Sequence, residues 1–135
     1  MANQKLVIPA SYPDIRIADE SLRSIMLASQ ISDEVVSGCE LALHELLINL
    51  VDHAYGGDSS GQITIDLKLD EDVLQIQTFD TGYPVNLDFN NITMPEPETF
   101  SEGGYGLALI QMLVDNINYQ RSGNQNIWTL MKRIP

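Results

Sequence analysis

Hydrophobic and polar positions alternate along two stretches of the chain, and the alternation predicts two β-strands. Residues 62–69 place apolar side chains at every second position, which is the period of a strand with one buried face. Residues 73–79 repeat the pattern after a polar turn at residues 70–72. Two such runs joined by a short turn predict an antiparallel hairpin with one solvated face.

Shorter apolar runs predict three more strands, at residues 5–9, 117–120 and 125–133. The first run ends at Pro9, which is typical of an edge strand because proline cannot donate a hydrogen bond to a neighbour. The last two runs read as a hairpin across residues 122–124. Trp128 is expected as a core or rim anchor in the second of them.

Apolar residues recur at helical spacing over residues 14–30, 32–55 and 105–116. The longest of these helices would begin after the N-cap Ser32 and end before the stop at Gly56-Gly57. Most of its surface is apolar, so we expect it to be largely buried.

The predicted order is strand, helix, helix, two strands, loop, helix and two strands. This order is typical of an α+β fold, a two-layer α/β sandwich whose mostly antiparallel sheet is covered on one face by helices. A chain of 135 residues fits a single domain over residues 1–135.

Composition narrows the possible partners and compartments. The net charge of −12, from 7 basic and 19 acidic side chains, argues against nucleic acid or an anionic membrane. No apolar run approaches the length of a membrane span and the N-terminus lacks a signal-peptide pattern, so we expect a cytoplasmic protein. The single cysteine, Cys39, lies mid-helix among apolar residues and is expected as a core residue rather than a reactive thiol.

A polar stripe interrupts the longest helix. Glu45, Asn49 and His53 are each four residues apart and should stack along one edge, with Asp52 on the same stripe. Polar side chains on a buried helix cost free energy unless they have partners. Those partners are either each other, backbone and water, or a ligand or metal ion in a pocket.

Two further motifs follow predicted elements. Asp80-Thr81-Gly82 comes directly after a strand, and Gly103-Gly104-Tyr105-Gly106-Leu107 comes directly before a helix. Neither motif alone is specific for a ligand site, since an Asp-x-Gly sequence usually forms a turn after a strand and paired glycines often end a loop.

The three motifs together fit one ligand. Glycines before a helix let backbone N–H groups approach an anion, which suits a stretch without lysine or arginine between Lys68 and Arg121. An asparagine oxygen suits Mg²⁺, which prefers hard oxygen ligands. A carboxylate at a strand end can accept a hydrogen bond from an exocyclic amine such as that of adenine. Glu45, one turn from Asn49, is placed to take a proton from an attacking hydroxyl or water.

The set resembles the N box and the two glycine boxes of the GHKL (Bergerat-fold) ATPases. Within that superfamily the chain is most similar to the bacterial anti-sigma-factor serine/threonine-protein kinases of partner-switching systems. Three segments carry this finer resemblance: Val7-Ile8-Pro9-Ala10, His53-Ala54-Tyr55 and Ser101-Glu102-Gly103-Gly104-Tyr105-Gly106-Leu107. The resemblance covers nearly the whole chain.

The resemblance implies an ATP site and a catalytic residue. Asn49 would coordinate Mg²⁺, Asp80 would bind the adenine amine, and Glu45 would be the general base that activates a serine or threonine hydroxyl. The remaining residues implied to bind ATP are Gly82 beside the ring, His53 lining the pocket, and the backbone N–H groups of Gly104, Gly106 and Leu107. Residues 83–102 would form the ATP lid.

The resemblance also implies partners. The phosphorylated protein would be a STAS-type antagonist, and a sigma factor or another regulatory target would be sequestered and released. A homodimer is compatible with the resemblance, although no residue in the sequence indicates one.

The lid departs from the family pattern. Family members often carry a basic residue there that touches the terminal phosphates, whereas this stretch has none. Arg121 or Lys132 would compensate only if the fold brings them near, or a partner would supply the charge. The alternative function is therefore a non-catalytic module of the same fold that acts by protein contact. The ATPase domain of a sensor histidine kinase is disfavoured, because no phosphoacceptor helix pair precedes the motifs.

Overall fold

The computed structural model describes residues 2–54, 61–84 and 105–135. Within these residues, five strands form one antiparallel sheet in the order β1-β2-β3-β5-β4, and α-helices pack on one of its faces. The strands are Ala2–Pro9 (β1), Gln62–Leu69 (β2), Val73–Asp80 (β3), Asn116–Ser122 (β4) and Gln125–Arg133 (β5). The α-helices are Tyr12–Ala28 (α1), Asp33–Asn49 (α2) and Tyr105–Leu113 (α3).

The predicted α+β class and the antiparallel sheet are confirmed. The bounds of β2 and β5 are those that the alternation predicts, and β1 lies at the sheet edge as Pro9 indicated. α3 ends three residues earlier than predicted, at Leu113, because β4 already begins at Asn116.

The longest helix differs from its prediction in the last turn. Ser32 caps it as expected, since its hydroxyl accepts a hydrogen bond from the Val35 N–H at 3.4 Å. The α-helix ends at Asn49, however, and Leu50–Ala54 continue as a π-helical turn. The prediction of a regular α-helix over residues 32–55 is therefore wrong for the residues after Asn49. Such π turns occur frequently at functional sites.

The core lies between the sheet and the helices. Alternate residues of β2 and β3 are buried, as their pattern predicted. Cys39 is buried, and burial raises the pKa of its thiol to about 11, which confirms a core residue rather than a reactive one. Trp128 is buried and packs on Tyr119 with ring centroids 4.8 Å apart. Leu41 of α2 is 39% exposed, so that helix is less completely buried than predicted.

Among the described residues, no helix has both the length and the apolar content needed to cross a bilayer. α1 and α2 pack side by side, and α3 packs on the other flank of α2. α2 is thus the central helix of the helical layer, and the polar stripe lies on it.

Gly38 of α2 generates a stability prediction. A Cβ built there would lie 3.8 Å from Leu113 Cδ2, which is an ordinary van der Waals contact. Glycine within a helix is destabilising by up to about 1 kcal/mol relative to alanine. We expect Gly38→Ala to raise the free energy of unfolding by about 1 kcal/mol in urea titrations. An unchanged or lower value would contradict the packing of α2 against α3.

Candidate functional site

Glu45 and Asn49 lie one turn apart on α2, and the first turn of α3 packs against both. A Cβ built on Gly106 would lie 3.2 Å from Glu45 Oε2, 3.1 Å from Asn49 Nδ2 and 3.4 Å from Asn49 Oδ1. Those separations are tighter than side chains normally allow, so the close approach depends on the missing Cβ. The structure thus brings Gly106 of α3 against Glu45 and Asn49 of α2, which lie about 60 residues earlier in the sequence.

The Asn49 amide is incompletely satisfied. Its Nδ2 is buried and has no hydrogen-bond partner among the described residues. A buried donor without a partner costs about 1–3 kcal/mol of folding free energy. The environment of Asn49 therefore suits a bound ligand better than a packed apolar core.

The donor set at Asn49 fits Mg²⁺. The amide oxygen of Asn49 is a hard oxygen ligand of the kind that Mg²⁺ prefers. In the described part of the chain, no group of three or more His, Cys, Asp or Glu side chains is arranged to hold a metal. A divalent ion here would therefore take one or two protein ligands and complete its shell with phosphate oxygens and water, as Mg²⁺ commonly does.

The other residues of this motif set are only partly described. Leu107 follows Gly106 in the first turn of α3, where backbone N–H groups have no partner within the helix. Gly104 and the His53 side chain lie outside the described residues. Asp52 is exposed and accepts a hydrogen bond from the Tyr12 hydroxyl of α1, so its carboxylate pairs with α1.

A second polar cluster surrounds Asp80 at the end of β3. This residue is 2% exposed. Its Oδ1 accepts hydrogen bonds from the Gly82 N–H at 2.9 Å and from Asn126 Nδ2 at 2.8 Å. Its Oδ2 is buried and has no partner among the described residues. One oxygen of the carboxylate is therefore fixed by the protein, and the other is left as an acceptor for a ligand N–H.

The electrostatics of Asp80 are balanced between opposing effects. Burial raises the pKa of its carboxyl above the ordinary range for aspartate. The hydrogen bonds from Asn126 and Gly82 and the positive charge of Arg121 act in the opposite direction. A hydrogen-bond donor on a ligand would further favour the ionised form.

Two residues near Asp80, Asn126 and Tyr119, were not identified as site residues by sequence reasoning. Asn126 is fully buried opposite Asp80 in the β3–β5 register. Its Oδ1 accepts from the Tyr119 hydroxyl at 2.5 Å and from Arg121 Nη1 at 3.0 Å. The available signal was the alternation of β5, in which Asn126 occupies an inward position with Trp128 and Leu130.

From the sequence, Arg121 and Lys132 would substitute for a basic residue at the phosphates only if the fold brought them near. Instead Arg121 Nη1 donates to the Gly82 carbonyl at 2.9 Å, beside Asp80. Lys132 lies toward the opposite end of β5, paired with Leu74.

Comparison with known proteins decides the family. A family model described as the histidine kinase-like ATPase domain matches residues 8–132. The chain belongs to this family. A relative named serine-protein kinase RsbW, from Oceanobacillus iheyensis, is 31% identical over 119 residues, which are 84% of this chain and 75% of the relative.

Solved structures share the fold of this histidine kinase-like ATPase. The structure of the RsbU and RsbW domains of Rv1364c from Mycobacterium tuberculosis matches with a TM-score of 0.72 at 18% identity, covering 99% of this chain. This chain spans only 33% of that longer protein. A protein of the SiaB–SiaC complex from Pseudomonas aeruginosa matches with a TM-score of 0.64 at 15% identity, covering 97% of this chain and 89% of its own.

Gly106 supplies a prediction matched to that for Gly38, since both are helical glycines. In Gly106→Ala the new Cβ would press on Asn49 and Glu45, and overpacking costs about 1–3 kcal/mol. We expect a net loss of about 1 kcal/mol in the free energy of unfolding, and a shift of the Asn49 side-chain amide signals in NMR spectra. A gain in stability like that expected for Gly38→Ala would show that α3 does not approach α2 this closely.

Proposed function

We propose that this chain is an ATP-dependent serine/threonine-protein kinase that acts as an anti-sigma-factor switch protein. It would comprise one domain over residues 1–135. The observation that carries the proposal is the meeting of the Glu45 carboxylate and the Asn49 amide beneath the first turn of α3. In a histidine kinase-like ATPase, Glu45 would serve as a base and Asn49 as an oxygen ligand, beside backbone N–H groups of α3 that would receive phosphates.

The base of the nucleotide is assigned to the Asp80 cluster. The free Oδ2 of Asp80 would accept a hydrogen bond from the 6-amino group of adenine. Gly82, which donates to the other oxygen, would lie beside the ring, where the lack of a side chain lets it approach. His53 would line the same pocket.

The phosphates are assigned to the first turn of α3. The backbone N–H groups of Gly104, Gly106 and Leu107 would bind them, and Asn49 Oδ1 would hold Mg²⁺. When bound, Mg²⁺ would offset the negative charge of the phosphates during transfer. Residues 83–102, most of which lie outside the described residues, are proposed as the ATP lid.

Glu45 is proposed as the general base. Its carboxylate would take the proton of a serine or threonine hydroxyl as that oxygen bonds to the γ-phosphorus of ATP. The bond from the γ-phosphorus to the bridging oxygen would break, and ADP would leave with that oxygen. A positioned base contributes typically about 10²–10⁴ in rate.

The proposed partners are proteins. The hydroxyl would belong to a STAS-type antagonist, and the sequestered target would be a sigma factor or another regulator, with a homodimer as the proposed assembly. The relative named a serine-protein kinase and the fold shared with a component of the SiaB–SiaC complex support this proposal. The net charge of −12 favours a protein over nucleic acid as the partner.

The kinase role is tested by Glu45→Gln. We expect phosphorylation of purified STAS-domain proteins of the source organism, followed with radiolabelled ATP and Mg²⁺, to fall about 10²–10⁴-fold because the base is lost. Mg·ATP affinity should remain within about threefold, since the base acts on the hydroxyl.

The matched control is Glu34→Gln, which alters an exposed glutamate in the first turn of the same helix. It should leave the rate unchanged. A Glu45→Gln protein that phosphorylates its partner at the wild-type rate would exclude Glu45 as the base.

A non-catalytic binding module of the same fold is the second candidate function. It is favoured by the absence of lysine and arginine from residues 69–120, and by the position of Arg121 at the Asp80 cluster rather than beside Asn49. Phosphate transfer by the wild-type protein to any STAS-domain protein would exclude this candidate. Sequestration of a target without transfer would favour it.

A further inference from the structure

The Asn126 side chain is the centre of a buried hydrogen-bond network. Its Nδ2 lies within hydrogen-bond distance of three oxygens: Asp80 Oδ1 at 2.8 Å, the Tyr83 carbonyl at 3.1 Å and the Gly82 carbonyl at 3.2 Å. Its Oδ1 accepts from Tyr119 and Arg121. A primary amide suits this position because it combines two donor hydrogens and an acceptor on one rigid group.

Arg121 connects the network to the edge of the sheet. Its Nε donates to the Gly123 carbonyl in the turn between β4 and β5, at 3.2 Å. Its Nη1 reaches the Gly82 carbonyl and Asn126 Oδ1. Because the guanidinium is planar, anchoring Nε on the turn fixes the direction in which Nη1 donates. The backbone that follows β3 is thereby held against β4 and β5.

This arrangement determines which part of Asp80 remains available. Asn126 and the Gly82 N–H both bind Oδ1, so the carboxylate cannot rotate without losing two hydrogen bonds. Oδ2 is left as the oxygen of this carboxylate that has no partner among the described residues. In the described part of the chain, the groups that act on the pKa of this carboxyl are Gly82 after β3, Asn126 of β5 and the charged Arg121 of β4.

We propose that Asn126 and Arg121 are positioning residues that fix Asp80 and the Gly82–Tyr83 backbone, so that Oδ2 alone is presented to the amino group of the bound base. The inference rests on the proposed nucleotide site and adds the residues that set its preference for a 6-amino purine. A 6-oxo purine such as that of inosine would place an acceptor against Oδ2 and be rejected.

The first test uses ligand-free protein and does not depend on nucleotide binding. The Asp80 side-chain carboxyl is titrated by NMR in wild type, Asn126→Ala and Arg121→Gln. Each substitution removes an effect that lowers the pKa of Asp80, so the titration midpoint should move to higher pH in both variants. Arg121 is exposed, so we expect Arg121→Gln to fold. This variant alone tests the inference if Asn126→Ala does not fold.

Two controls separate positioning from general damage. Asn118→Ala alters an exposed asparagine of β4, and Arg133→Gln alters an exposed arginine at the far end of β5. Neither should move the midpoint. An unchanged midpoint in Arg121→Gln and in folded Asn126→Ala would overturn the inference.

The second test is calorimetric titration of Mg·ATP and Mg·ITP at a series of pH values that spans the Asp80 titration midpoint found in the first test. If ionised Asp80 accepts the amine, ATP affinity is present above the folded-state pKa and is lost as the pH falls through it. In the two variants that loss of ATP affinity should occur at higher pH than in the wild type. At pH 8 their ATP affinity should be about 10-fold lower than that of the wild type, and the ratio of ATP affinity to ITP affinity should be smaller.

The outcomes distinguish the inference from the proposed function. If the wild-type protein binds no ATP but the variants shift the Asp80 midpoint, the proposed nucleotide site is contradicted. Asn126 and Arg121 then remain positioning residues of Asp80. A wild-type protein that binds ATP, with variants whose midpoint and preference match the wild type, contradicts the positioning role and leaves the site standing.

Discussion

A buried carboxylate with one oxygen paired and the other left open is the interaction on which this site depends. Burial makes the charge of Asp80 costly, and the hydrogen bonds from Asn126 and Gly82 offset only part of that cost. Apolar residues would pack there without any such penalty. The proposed ligand that donates to Oδ2 would offset the remaining cost, and the surrounding strands fix the carboxylate in the orientation that such a ligand requires.

The helical layer supplies a second constraint, which is the close approach of α3 to α2. This approach is possible because residue 106 has no Cβ, and it places the first turn of α3, whose backbone N–H groups have no partner within the helix, beside Glu45 and Asn49. The polar side chains interrupt an otherwise apolar helix, which is the kind of local cost that folds accept at functional sites. α2 also changes to a π-helical turn directly after Asn49.

Much of the fold could be predicted because its causes are local. The alternation of residues 62–69 follows from a sheet with one buried face, and the Ser32 cap follows from side-chain chemistry at a helix start. The π turn could not be predicted, since residue spacing over only five residues does not distinguish a π turn from an α-helical turn. The role of Asn126 depends on its pairing with Asp80, 46 residues away, and that register is a tertiary property.

The same distinction applies to the candidate site. Glu45, Asn49 and Asp80 were identifiable because their residue types are unusual on a buried helix and at the end of a strand. The position of Arg121 beside Gly82 could not be predicted, because it follows from the β4–β5 hairpin lying next to β3. Asp19 and His44 pair at 2.7 Å between α1 and α2, a contact that helix periodicity alone does not specify.

The most direct test of the account is calorimetric titration of Mg·ATP and Mg·ITP into the wild type and Asp80→Asn. The substitution replaces the free acceptor Oδ2 with an amide that can turn its N–H₂ toward the base. We predict that ATP affinity falls about 10- to 100-fold, as expected for a lost hydrogen bond to a charged group, and that the preference for ATP over ITP disappears. An Asp80→Asn protein that binds ATP as tightly as the wild type, with the same preference, would contradict the account.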